Sequence, residues 1–487
     1  MSYKAPNPYV EKIPYKGNTS TSNSNSIMGM IGVTPNGDTT KAVLVNSWSE
    51  YIEKFALGVE TPFMANTMLS HAVYGFFQNG GSLLYVARVV GAGAKKASIS
   101  VTQDTNTLKF TAINEGEWGN KIAVEVVANN TSTDESGKPV ADTENPYVVN
   151  VYYADTLVES FIVGTDATTT TYFMDVINTN SSYVRIDTYI GLLTKTLLKD
   201  GTADISNVSD GAYEDALPLF DKVHNLAAIG IPGQSTSDII KALIKYTGNK
   251  PILPVLEFPE AKTSATDIVA YAKASCAGSD VVMYGPNILV ADPLSVTVKT
   301  KSVSAVGHIM GTIARTIDTK GEWNAAAGTD AVLKGALGVA TDFTDEERGK
   351  LNEAGVNVIL TKPNYGTVIW GARSQSADTE LKYVSNLTLN HTLRRNFDDA
   401  MQRFEFKNNN ASLWVDITAE LTGILETKRL AGAFAGNTAE TCYYVKCDGT
   451  NNTKATIDKG QVICEVGYAA NKPAEFIIVR VAHQISN

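Results

Sequence analysis

Residues 61–90 read TPFMANTMLSHAVYGFFQNGGSLLYVARVV. Met64, Met68, Ala72 and Phe76 recur at four-residue spacing, which predicts a helix with one apolar stripe. Asn79-Gly80-Gly81 supplies its stop, and SLLYVARVV (82–90) is a strongly apolar strand. Upstream, SIMGMIGV (26–33) reads as a short buried strand. KAVLVNSWSEYIEKFA (41–56) reads as a strand and then a helix capped by Ser47 or Ser49. Strand, helix and strand at these lengths predict an α/β layer.

The same texture returns over 213–375. LAAIGIPG (226–233), PILPVLEFPE (251–260) and VVMYGPNILVAD (281–292) are apolar runs, with helix-like TSDIIKALIKYTG and TSATDIVAYAKAS between them. Alternation of this kind predicts a largely parallel sheet, which GHIMGTIARTIDTKGEWNAAAG (307–328) and LNEAGVNVILTKPNYGTVIWGARS (351–374) complete. Between about 96 and 205 Thr, Ser, Asn and Asp dominate, and β-runs alternate with turns, so a separate, mostly β insertion is expected there. From about 376 a helix-bearing segment, KYVSNLTLNHTLRRNFDDAMQRF, is followed by a second helix with Leu413, Ile417, Leu421, Ile424 and Leu425 on one stripe. CYYVKCD, QVICEVGYA and a final run, PAEFIIVRVAHQ (473–484), add β-structure to a compact α+β domain. That final run is apolar on both faces, which calls for partners along its edges. It reads either as the closing strand of its own domain or as a strand lent to a neighbouring copy. Residues 1–25, with three prolines and then NTSTSNSNS, form an extended polar arm.

Composition narrows the function. The chain has 487 residues, 44 % apolar and 19 % charged, with a net charge of −10. That length holds about two to four domains. The acidic balance argues against general nucleic-acid binding. No run of about 18 apolar residues occurs, so no membrane insertion is expected. The first residues lack the apolar centre of a signal peptide, which makes cytoplasmic synthesis the expectation. Four cysteines, Cys276, Cys442, Cys447 and Cys464, are no disulfide framework in so long a chain.

The chemistry expected is none: no catalytic residue, cofactor or metal. No phosphate-loop motif is present. Gly91-Ala-Gly93 lacks the rest of a dinucleotide fingerprint and reads as a loop. Cys442 and Cys447 have no histidine at metal spacing and read as buried structural thiols. His308-Ile-Met-Gly-Thr-Ile-Ala looks like the histidine segment of subtilisin-type proteases, but the serine motif and the aspartate strand end of that family are missing, so His308 reads as structural.

Several segments together resemble the tail sheath proteins of contractile phage tails, R-type bacteriocins and contractile injection systems. They are SNSIMGMIGVTPNG, AVYGFFQNGGSLLYVARVVG, FTAINEGEWGNKIAVEV with its Glu117-Trp118-Gly119-Asn120 turn, RTIDTKGEWNAAAG, GVNVILTKPNYGTVIWGAR, YVSNLTLNHTLRRNF, LWVDITAELTGILETKRLAGAF and PAEFIIVRVA. They follow in family order over nearly the whole chain. GHIMGTIART lacks the fuller proline-rich pattern associated with the segment after it.

The resemblance implies a non-enzymatic, multidomain subunit. It would have an α/β core (26–95 plus 206–375), subtilisin-like and catalytically empty. A β-rich outer insertion (96–205) and a C-terminal α+β domain (376–487) facing an inner tube would complete it, together with the arm (1–25) and an exchanged strand (473–487). Copies would stack as rings or helical strands around an inner tail tube protein, with baseplate and tail terminator proteins at the ends. The particle would form in the bacterial cytoplasm and be released on lysis. Strand exchange would use Tyr3, Tyr9, Val10, Ile13 and Tyr15 of the arm and Phe476, Ile477, Ile478, Val479, Arg480 and Val481 of the last strand. Arg394, Arg395, Arg403, Lys428 and Arg429 are candidates to face the tube, with an ordinary solvated helix face as the alternative. A cryptic α/β hydrolase and a surface adhesin are the competing readings.

Overall fold

The computed structural model describes residues 26–58, 60–133, 139–295, 297 and 299–475. The α/β body begins with β1 (Ile27–Gly32), β2 (Val43–Val45), α1 (Trp48–Ala56), α2 (Leu69–Gln78) and β3 (Leu84–Arg88). Ser47 caps α1, its hydroxyl accepting from Glu50 N at 3.1 Å. α2 starts later than the methionine spacing predicts: Met68 is its N-cap, and Met64 lies ahead of it in the chain. Asn79 ends it as read, its side chain donating to Gly75 O and Lys334 O.

The chain then leaves for the insertion: β4 (Lys96–Gln103), β5 (Asn106–Glu115), β6 (Ile122–Ala128), β7 (Asn130–Thr133), β8 (Pro139–Ala141), β9 (Tyr147–Tyr153), β10 (Thr156–Val163), α3 (Phe173–Asn180), β11 (Val184–Ile186) and β12 (Leu193–Leu197). A four-stranded sheet, β10-β9-β6-β12, and a three-stranded one, β11-β5-β4, share one core. Alternation supplies it: Val149, Val151 and Tyr153 of β9 are buried while the residues between them are not.

The body resumes with α4 (Asp210–Ala216), β13 (Leu226–Gly230), α5 (Ser237–Thr247), β14 (Leu253–Glu257), α6 (Ala265–Ser275) and β15 (Val282–Gly285). The apolar run 281–292 is not one strand. It breaks after Gly285, and β16 (Ile288–Ala291) pairs with β17 (Thr300–Val303) and β18 (Gly338–Val339) in a separate antiparallel sheet. α7 (Val306–Lys320), α8 (Asp345–Glu353), β19 (Val356–Lys362) and β20 (Gly366–Ile369) complete the body. Its eight-stranded sheet runs β2-β3-β1-β13-β14-β15-β19-β20, parallel in the middle, with β2 and β20 antiparallel at the edges. Met28 and Met30 of β1 point toward α2 and α7; Ile31 points to the other face, toward α4, α5, α6 and α8. Near-continuous apolar strands are what a sheet covered on both faces requires.

The C-terminal domain packs α9 (Val384–Met401) and α10 (Ala411–Leu430), with short α11 (Ala439–Cys442), against the hairpin of β21 (Tyr443–Lys446) and β22 (Glu465–Tyr468); α12 (Lys454–Ile457) lies in the hairpin loop. Leu413, Ile417, Leu421 and Leu425 are the buried residues of α10.

Candidate assembly surfaces

Both ends of the described chain are tied to the α/β body. Ser26 Oγ donates to Asp318 Oδ2 of α7 at 2.9 Å. At the other end Glu475 grips Arg373 with both oxygens, at 2.8 Å from Nε and 2.5 Å from Nη2. Arg373 is itself 9 % exposed, and Nη1 donates to Asn352 O. Asn357 of β19 fixes the Arg373 backbone through Oδ1 and Nδ2 and also donates to Met283 O of β15. The Glu475 carboxylate raises the Arg373 guanidinium above its ordinary value, outweighing partial burial. Tyr3, Tyr9, Val10, Ile13 and Tyr15, and Phe476, Ile477, Ile478, Val479, Arg480 and Val481, lie outside the described residues.

The five candidate tube-facing cations differ in their surroundings. Arg395 is 5 % exposed, its Nη1 donating to Pro251 O and its Nη2 to Thr392 Oγ1, so it is an interior seam residue rather than a surface charge. Lys428 pairs with Glu322, which is buried behind it, and this tie joins α10 to the residues after α7. Arg394 is exposed and donates to Asn249 O of the body. Arg403 is exposed and pairs with Glu420. Arg429 grips Glu426 on its own helix; that contact first, then the Tyr443 hydroxyl, holds the Glu426 carboxyl down at about 2. A tally of positive residues cannot see these internal acceptors, which is why Arg395 reads as a surface charge in the sequence.

The Glu117-Trp118-Gly119-Asn120 turn has a definite structural job. Trp118 is buried and its Nε1 donates to Glu115 O. Asn120 exchanges two hydrogen bonds with Gly201, and Glu117 Oε1 accepts from Thr202 and Ala203. The turn, between β5 and β6, therefore clamps the segment leaving the insertion. Gly91 and Gly93 complete this neck, donating to Ala203 O at 2.9 Å and Asp204 Oδ2 at 2.8 Å. A Cβ at either glycine would strike Asp204. Below the neck Arg88, 1 % exposed, donates to Thr34, Pro35 and Gly37 carbonyls of the body and to Glu115 O of the insertion. No sequence signal separated Arg88 from the other arginines, because its acceptors are all backbone carbonyls.

His308 sits on α7 with its ring against Gly75 of α2. Its Nδ1 has no hydrogen-bond partner, and burial first, then repulsion from His71, pushes its pKa down to about 4. Among the described residues no hydroxyl or carboxylate hydrogen bonds to either imidazole, and no group of three or more His, Cys, Asp or Glu is placed to hold a metal ion. Among them, too, no helix is long and apolar enough to cross a membrane.

Residues 207–375 match the phage tail sheath protein central domain. No curated protein sequence matches the chain. Among solved structures, the sheath complex of an extracellular contractile injection system (PVC) in its contracted state is 18% identical, with TM-score 0.61, covering 100% of this chain and 99% of that one. A chain of the anti-feeding prophage baseplate is 18% identical, with TM-score 0.60 over 99% and 100%. A sheath tail protein from Listeria innocua is 12% identical, with TM-score 0.63 over 91% and 95%. At these identities the likeness is one of fold, and it extends over nearly the full length of each chain.

Proposed function

We infer, from a chain whose residues 207–375 carry the central domain of the phage tail sheath proteins, that it is a structural sheath subunit of a contractile tail or contractile injection system. The observation that carries this reading is the family domain set within a full-length fold shared with the sheath of a contracted injection system. Copies polymerise around an inner tube, between baseplate and terminator, and contraction drives the tube through a target envelope. Assembly follows cytoplasmic synthesis, with release on lysis. We assign no catalytic role. The α/β body is read as subtilisin-like without a triad, the 96–205 insertion as the outer surface and the C-terminal domain as the tube side.

Neighbours are linked by the N-terminal arm and the strand after Glu475. The Arg373–Glu475 pair supports this reading, because it anchors the chain to the body just ahead of that segment. An extended arm of this length reaches roughly 80 Å, enough to bridge bodies that move apart. With no phosphate-loop motif in the sequence, the work of contraction is stored in the assembly, as surface that each copy buries against its neighbours on contracting.

Negative-stain electron microscopy of the full chain beside one ending at Glu475 tests the reading. The shortened chain keeps the Arg373 pair, so its fold is retained. Tubes or rings from the full chain and dispersed monomers from the shortened one are expected. Polymers from both would sink the strand-exchange claim, and monomers from both, even with a tube or baseplate preparation added, would sink the sheath reading.

A further inference from the structure

The hairpin of the C-terminal domain brings two cysteines face to face. β21 and β22 pair with Lys446 opposite Glu465, so the next position outward sets Cys447 opposite Cys464. At the other end of the ladder Ala469 N donates to Cys442 O at 2.8 Å. Hydrogen-bonded and non-hydrogen-bonded pairs alternate along an antiparallel ladder. Counting from Cys442/Ala469, the Cys447/Cys464 pair is of the non-hydrogen-bonded kind. Such pairs hold their Cα atoms about 4.5 Å apart, within the range of about 4.4–6.8 Å that a disulfide spans.

The side chains agree with the register. Cys447, Cys464, Val445 and Val466 lie on one face of the hairpin, in one apolar cluster with Leu413, Ile417 and Leu421 of α10. The two thiols interact with each other. Asn452, 3 % exposed, pins the loop between them: its Oδ1 accepts from Ile463 N at 2.6 Å, its Nδ2 donates to Ile463 O at 3.0 Å, and Nδ2 lies 3.7 Å from Cys447 Sγ. Cys442 faces a different cluster, and Cys276 is in the α/β body.

We propose that Cys447 and Cys464 are a redox-responsive pair, closed into a cross-strand disulfide by a low-molecular-weight disulfide. Cys464 is the less buried of the two and reacts first. Its thiolate attacks one sulfur of the small disulfide, that S–S bond breaks, and the departing thiolate takes up the proton Cys464 has lost. Cys447 then attacks the Cys464 sulfur of the mixed disulfide and releases the second small thiol. Two protein thiols are oxidised and one small disulfide is reduced to two thiols. Burial pushes the Cys464 thiol up to about 12, so its thiolate is scarce at neutral pH and closure accelerates as pH rises.

The test incubates the folded full chain with oxidised glutathione, quenches in acid, unfolds the chain in denaturant with an alkylating agent present so that every remaining free thiol reacts, and maps the peptides by mass spectrometry. Of the four cysteines, Cys276 and Cys442 should stay alkylatable, with Cys447 joined to Cys464 and the intact mass lower by two hydrogen atoms. Cys447→Ser should stall as a glutathione adduct on Cys464, and Cys442→Ser should close like the parent. Four free thiols after incubation, a persistent adduct on the parent chain, or a bond to Cys442 would each overturn the proposal.

Discussion

Glu257, at the end of β14, shows how one side chain couples this fold to pH. It is 7 % exposed, and its oxygens accept from Gly233 N at 2.6 Å and Ser304 Oγ at 2.5 Å. Burial outweighs both hydrogen bonds and raises its pKa from 4.5 to about 7. The folded chain therefore keeps a proton that the unfolded chain gives up sooner. Its contribution to stability is full below the ordinary value and is lost as pH rises through about 7. Glu257→Gln removes the titration while keeping an acceptor for Gly233. Urea unfolding of the dispersed chain should show the variant gaining on the parent between about pH 5 and about pH 8, by at most about 3 kcal/mol at about 1.4 kcal/mol per pH unit. A constant difference across that range would count against the assignment. The sequence offered no hint of this, since PILPVLEFPE reads only as an apolar run, and only the fold brings Ser304 to Glu257.

At the scale of elements, the α/β alternation was legible because it rests on local patterns. The apolar runs of β1, β3, β13 and β14 and the serine cap of α1 are written in neighbouring residues. What was not legible was how closely α2 and α7 approach. The segment GHIMG drew notice for its histidine, whereas its two glycines set the packing. A Cβ on Gly307 would overlap the Ala72 carbonyl, and one on Gly311 would overlap that of Phe76, both backbone atoms of α2. Gly349, in the exposed middle of α8, has nothing within 4 Å of the same position. Gly311→Ala should thus destabilise the chain by about 1–3 kcal/mol, and Gly349→Ala should stabilise it by about 0.5–1 kcal/mol. Thermal melts of both variants check the pair, and equal effects of the same sign would refute the crossing geometry. The candidate cations were misread for a related reason: Arg395 and Lys428 look like surface charges until Pro251 and Glu322, far away in sequence, are folded against them.

At the scale of the whole molecule, the change of composition near residues 96 and 205 is what the sequence shows, and the structure pairs Lys95 with Thr202 at the neck. The crossing strands are held by Lys95 and Thr202, which donate to each other's carbonyls at 2.8 Å and 2.9 Å. The insertion has its own core, and among the described residues its sheets pair no strand with the body's. Replacing residues 94–202 with a short Gly-Ser link should therefore leave a soluble chain with a cooperative melt, weakened by the loss of Glu115 O from Arg88. Aggregation or a non-cooperative melt would show that the body depends on the insertion. The neck also bears on how such a chain can change over time. Because entry and exit lie side by side, a lineage can exchange the entire inserted module, for one of any size, in a single recombination event that leaves the body's sheet untouched. Variation in length and sequence among relatives should therefore concentrate between the two strands of that neck.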